Sequence, residues 1–115
     1  MSNYYIAVPK DHAATVALDY SEAIEDQLIE LYLEEVEFKP VWDSGFFESI
    51  NLMTGSMIDP YEDDKVVGKQ MLYKVLNSAI FNENNYVVEI RTNISKIKQL
   101  FIEARNRDTG IFFYF

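Results

Sequence analysis

The sequence predicts an α+β or small α/β domain: a mixed sheet of three to four short strands with three to four helices, including a C-terminal β-α-β crossover. Three observations predict it. The 115 residues are 49% hydrophobic and 25% charged, which suffices for one core and argues against disorder. Short β-prone runs alternate with stretches of helical period. No Pro/Gly/Ser-rich linker and no internal repeat divides the chain, so residues 1–115 read as a single domain.

Tyr4 to Val8 is short, apolar and β-prone, and Pro9 stops it, which reads as a strand. Ala13 to Leu18 is open between a second strand and a helical turn. Asp19-x-x-Glu22 has the form of a capping box, with a helix expected from there to about Glu35. Ile24, Leu28, Leu31 and Tyr32 would form its apolar stripe. Val36 to Trp42 alternates in polarity and reads as a strand that Pro40 confines to an edge. Asp43 and Ser44 offer a cap for a short helix carrying Phe46, Phe47, Ile50 and Met53, ended by Gly55.

Asp59-Pro60-Tyr61-Glu62 combines a capping Asp, a Pro suited to the first helical position, and a Glu three residues after the cap. Val67, Met71, Val75 and Ala79 then keep helical period to about Phe81, with Gly68 weakening the middle by roughly 1 kcal/mol. Tyr86 to Arg91 reads as a strand. Thr92 or Asn93 caps a helix with the stripe Ile94, Ile97, Leu100, Phe101 and Ala104. Asp108-Thr-Gly110 is a turn, and the apolar run Ile111 to Phe115 is a buried strand. Strand, helix and strand in so short a span imply a crossover with parallel strands.

Composition excludes several function classes. The absence of Cys removes disulfides, thiolate zinc sites and a thiol nucleophile; a single His, His12, removes His-rich metal sites. The four glycines are scattered and form no phosphate loop. No catalytic residue, metal site or cofactor is therefore expected. The N-terminal residues lack the basic and apolar regions of a secretory signal, which makes the cytoplasm the expected compartment. A net charge of −9 disfavours nucleic acid and anionic membrane as partners.

That charge is unevenly spread. Residues 1–64 hold fifteen acids and two bases (net −13), and residues 65–115 hold four acids and eight bases (net +4), which together give −9. In a helix, Glu22, Asp26, Glu30 and Glu34 would stack in one row with Glu25, Glu35 and Glu37 near it, and no Lys or Arg occurs between Lys10 and Lys39 to pair with them. Each like-charge pair at that spacing costs roughly 0.2–0.5 kcal/mol. The row has three readings: a solvated face, a docking stripe for a basic partner, or a partner for the chain's own Lys69, Lys74, Lys96 and Lys98. Asp59, Glu62, Asp63 and Asp64 form a second acidic segment. Glu37 and Lys39, two apart on a strand, would also match the carboxylate–lysine pair of metal-dependent nucleases. Among the seventeen aromatics, Tyr5, Tyr20, Tyr61, Tyr73 and Tyr114 are expected to lie partly exposed, where Tyr favours interfaces.

A small, acidic, Cys-free chain that opens Tyr4-Tyr-Ile-Ala-Val-Pro9 resembles the bacterial immunity proteins of contact-dependent growth inhibition and related polymorphic toxin systems. The resemblance is one of class and assigns no site residue. It implies a stoichiometric, non-enzymatic inhibitor that covers the active site of a basic nuclease toxin. Charge and position then make Glu22, Asp26, Glu30, Glu34, Glu37, Asp59, Glu62, Asp63 and Asp64 the expected contacts. The same acids would serve a DNA mimic directed at a host defence or restriction protein.

Overall fold

The computed structural model describes residues 4–115. The chain is an α+β fold built on one four-stranded sheet. Strand β1 is Tyr4–Pro9, β2 is Leu28–Leu33, β3 is Asp64–Val67 and β4 is Gly110–Tyr114. The strand order is β2-β1-β4-β3, and every neighbouring pair is antiparallel. Five α-helices complete it: α1 (His12–Asp19), α2 (Glu35–Asp43), α3 (Phe46–Thr54), α4 (Lys69–Leu76) and α5 (Val88–Arg107).

The period-2 geometry of the strands separates two faces. Ile6, Val8, Leu33, Val66, Ile111 and Phe113 point to one side and form the core with Phe38 and Val41 of α2, Phe46, Phe47 and Ile50 of α3, Leu72 and Val75 of α4, and the predicted α5 stripe from Ile94 to Ala104. The other face carries Tyr5, Ala7, Glu30, Tyr32, Phe112 and Tyr114. The short helix α1 lies beside β1 with Ala14 buried. Asp11 starts α1 by accepting the Ala14 N–H at 2.8 Å, an N-cap. Gly110 permits a close approach in the sheet: a Cβ there would stand 2.5 Å from Val67 Cγ1.

Four elements depart from the sequence reading. Residues 19–35 form no helix. Ser21, at φ 57°, ends α1, a 3₁₀ turn spans Glu25–Gln27, and Leu28–Leu33 is strand β2. Its run Leu-Ile-Glu-Leu-Tyr-Leu satisfies either period, and pairing along the whole of β1 decides for the strand. Val36 to Trp42 belongs to helix α2, with Pro40 inside it. Glu37 starts this helix by accepting the Glu34 N–H at 3.1 Å, the reciprocal half of a capping box.

Asp59 to Glu62 is a turn, not a helix start. Asp59 Oδ1 accepts the Tyr61 N–H at 2.9 Å, and the Glu62 N–H reaches the Asp59 carbonyl at 3.2 Å. Asp followed by Pro serves a β-turn as well as a helix N-terminus. Gly68, at φ 90°, then breaks the chain between β3 and α4, a conformation that suits glycine. Finally, Tyr86 to Arg91 is no strand: Val88 already begins α5. The C-terminal β-α-β crossover is therefore absent among the described residues; β4 pairs antiparallel with β1 and β3, and the sheet is not mixed.

Candidate functional site

The register of the sheet aligns three tyrosines that are far apart in sequence. Tyr5 on β1 faces Tyr32 on β2 and Tyr114 on β4. Their rings stack, with centroids 4.8 Å apart for Tyr5–Tyr32 and 5.4 Å for Tyr5–Tyr114. Such offset contacts contribute about 0.5–1.5 kcal/mol each beyond area burial. The row crosses the sheet face opposite the core. Tyr5 and Tyr114 are half-buried, and Tyr32 at the outer end is 58% exposed. Beside the row, Leu18, Ser21, Ala23 and Leu28 complete a shallow cleft of about 300 Å³ with Tyr5 and Tyr114.

Carboxylates stand at both ends. Glu30, two residues from Tyr32 on the same strand face, accepts the Tyr32 hydroxyl at 2.6 Å. Glu25 adds its charge at that end, and Asp19 and Asp63 lie near Tyr114 at the other. Among the described residues, ion pairs are confined to Lys39–Asp43 and Arg107–Glu103, each within one helix. None of the four carboxylates beside the row makes one. The bases lie elsewhere: Lys69 and Lys74 on α4, and Arg91, Lys96, Lys98, Arg105 and Arg107 on α5. On the sheet face Lys65 sits over the Phe112 ring, 5.5 Å from its centroid.

The hydroxyls register this environment. Burial raises the pKa of Tyr5 above the usual 10, and the Glu30 carboxylate raises it further. The hydrogen bond to Glu30 raises Tyr32 first, and partial burial adds to it. Tyr114 is raised by burial and by the charges of Asp63 and Asp19. Burial alone raises Tyr86, whose hydroxyl donates to the Ile80 carbonyl. A phenol whose folded pKa exceeds its unfolded value holds its proton more tightly when folded. The stability it contributes is complete below the unfolded pKa and is lost as pH rises through the folded one. A phenolate absorbance titration is expected to show a late group, Tyr5, Tyr32, Tyr86 and Tyr114, that ionises together with alkaline unfolding. Tyr5→Phe is expected to move that unfolding to higher pH; an unchanged midpoint would contradict the assignment of Tyr5 to the late group.

The nine acids expected from the sequence are dispersed. Glu22 and Asp26 are exposed in the segment before β2, Asp26 within the 3₁₀ turn, and Glu34 is exposed at the start of α2. Glu30 is half-buried on β2. The helical row of Glu22, Asp26, Glu30 and Glu34 therefore does not exist. None of these four pairs with Lys69, Lys74, Lys96 or Lys98. Glu37 is tied to the Glu34 N–H, and Lys39 pairs with Asp43 at 3.0 Å. Two apart on a helix, Glu37 and Lys39 do not share the strand face that the nuclease-like geometry needs. Among the described residues, no three His, Asp or Glu side chains converge on a metal position.

Asp59 is used by its turn, and Glu62 and Asp63 are exposed. Asp64 accepts the Met57 and Lys65 N–H groups. A wider cleft of about 530 Å³ lies along this loop. Its Asn51 amide is consumed by both backbone groups of Ile58, at 2.8 and 2.9 Å, which makes it a loop clamp.

Stacked phenols between carboxylates that make no ion pair can bind a cation chemically: ring faces attract an ammonium or guanidinium, and carboxylates accept its N–H groups. Comparison with protein-family models, curated proteins and solved structures gives no match in any of the three.

Proposed function

We propose that the protein is a non-enzymatic binding protein that neutralises a basic protein partner, in the manner of a cytoplasmic immunity protein against a nuclease toxin. The observation that carries this reading is the tyrosine row with four carboxylates, Glu30 and Glu25 at one end and Asp19 and Asp63 at the other, outside any ion pair. Tyr is a preferred hot-spot residue because it supplies large, rigid, amphipathic area. The uneven charge supports the same reading. A predominantly acidic face, with Lys65 also on it, steers a basic partner and raises its association rate, up to about 10⁸–10⁹ M⁻¹s⁻¹ at low salt. Occupying the toxin groove that otherwise takes phosphate would then block its activity. No helix of the described residues is long and apolar enough to cross a membrane.

The test is the association rate with a basic nuclease toxin domain, measured by stopped flow against salt. A fall of about tenfold between low and high salt is expected, with dissociation changing less. Glu25→Lys combined with Asp63→Lys, both exposed positions, is expected to slow association while leaving the melting temperature unchanged. A rate independent of both salt and this double reversal would remove the acidic face from the interface.

A further inference from the structure

The two edges of the sheet are treated differently. At the β3 edge the Ser56 hydroxyl donates to the Lys65 carbonyl at 2.8 Å, and the neighbouring Met57 N–H donates to Asp64. That edge is short and already occupied. β2 forms the other edge and runs for six residues. The Lys10 N–H donates to the Gln27 carbonyl at 2.9 Å, which extends the β1–β2 ladder and fixes its phase. Ile29, Leu31 and Leu33 thus turn their backbone groups toward β1, and Leu28, Glu30 and Tyr32 turn theirs outward. The Leu28 N–H is taken by the Glu25 carbonyl. The N–H and C=O of Glu30 and Tyr32 form an open edge, the template on which another strand can pair.

We infer that this edge receives an extended, alternately cationic and aliphatic segment of the partner, which adds to the sheet as a fifth strand beside β2. The inference rests on the basic-partner reading above and specifies its mode. Side chains of an added strand would alternate between two environments. On one face they would lie beside Glu30 and Tyr32, at the acidic end of the tyrosine row, where Lys or Arg fits. On the other they would enter a groove of about 450 Å³ between β2 and α5, floored by Ile29, Leu31 and Leu100. Lys96, the Arg107–Glu103 ion pair and Glu30 also line that groove, so its apolar floor rather than its charge selects the aliphatic side chains. Charge selects against a second copy of this chain: each carries −9, and two copies would have to bring together β2 with Glu30 on it and Asp26 and Glu34 just beyond its two ends.

The probe is an acetylated, amidated Lys-Val-Lys-Val-Lys-Val-Lys peptide added to the full chain and followed by amide exchange in NMR. Exchange at the Glu30 and Tyr32 amides is expected to slow about tenfold or more at saturation. Glu30→Pro removes one outward N–H from an edge strand without touching the β1 ladder, and is expected to weaken the peptide about tenfold. Glu30→Gln keeps that N–H and is expected to cost less, up to about fivefold. The same peptide N-methylated throughout keeps its charges, loses its donors, and is expected to bind wild type at least about tenfold more weakly, which tests the mode even if the proline variant folds poorly. Salt-sensitive binding indifferent to N-methylation and to proline would overturn the added strand and leave the basic-partner reading standing. Protection of the same amides by protein concentration alone would overturn it in favour of a second copy, and no binding of the peptide would overturn it as well.

Discussion

Phe47→Ala is expected to destabilise the fold by about 3–5 kcal/mol, the range for a fully buried Phe truncated to Ala. Phe47 is 0% exposed and is the hub of an aromatic cluster joining three elements and the C-terminus. Its ring lies 5.9 Å from Phe38 and 5.9 Å from Trp42 on α2, 5.2 Å from Phe46 on α3, 6.0 Å from Phe113 on β4 and 5.0 Å from Phe115. Truncation removes transfer energy and leaves a cavity that rings anchored on separate elements cannot easily fill. Against a typical domain stability of about 5–15 kcal/mol, a loss of that size is a large fraction. Urea unfolding checks it: the midpoint should fall with an unchanged slope. Leu52 on the same helix is 88% exposed and is the control, with Leu52→Ala expected within about 0.5 kcal/mol of wild type. Equal midpoints for the two variants would mean that α3 does not seat on the sheet through Phe47.

The elements legible from sequence were those with one unambiguous signal. Tyr4–Pro9 is a short β-prone run with a hard stop, α3 ends at Gly55 in the left-handed region, and the stripe from Ile94 to Ala104 fits no period but the helical one. Elsewhere the residues supported two structures, and distant contacts chose between them. Asp59-Pro60 fits a turn as well as a cap, and the turn delivers β3 to its place beside β4. Tyr86 to Arg91 has β-prone side chains, yet Ile90 is buried on the same face as Ile94 and Ile97, so packing extends α5 backward through it.

The arrangement of the candidate site is illegible in the sequence. Charge arithmetic names Glu30 and Asp63 among nine acids, and composition names Tyr5 and Tyr114 among five tyrosines. Tyr32, placed in the apolar stripe of a helix that does not form, completes the row. Nothing local predicts that Tyr5 will face both Tyr32 and Tyr114, because strand register is set by whole-sheet pairing. Asp19 reads from sequence as a helix cap and Glu25 as a neighbour of the acidic row; they meet the tyrosines only once the sheet brings Tyr114 and Tyr32 to them.

Tyr32→Ala is expected to weaken binding of the proposed basic partner by about 2 kcal/mol or more, the hot-spot threshold, which corresponds to roughly thirtyfold in affinity. Tyr32 combines the properties that make a hot spot in this fold. It is the most exposed ring of the row, is held rigid by stacking on Tyr5, and is tied by its hydroxyl to Glu30. Truncation removes ring area and frees the Glu30 carboxylate to rotate, so the loss should exceed that of deleting either alone. The fold should bear the change, because 58% of the residue is already in water and the cost is about one aromatic contact, 0.5–1.5 kcal/mol. Tyr32→Phe divides the two contributions. It keeps the ring and removes the 2.6 Å hydrogen bond, and is expected to cost about 0.5–1.5 kcal/mol of binding. Calorimetric titration of the three proteins against the toxin domain, with melting curves beside it, reads both quantities. A partner that binds Tyr32→Ala as tightly as wild type would show that the tyrosine row lies outside the interface. Weaker binding by Ala and Phe alike would place the interaction in the hydroxyl–carboxylate pair, whereas loss by Ala alone would place it in the ring.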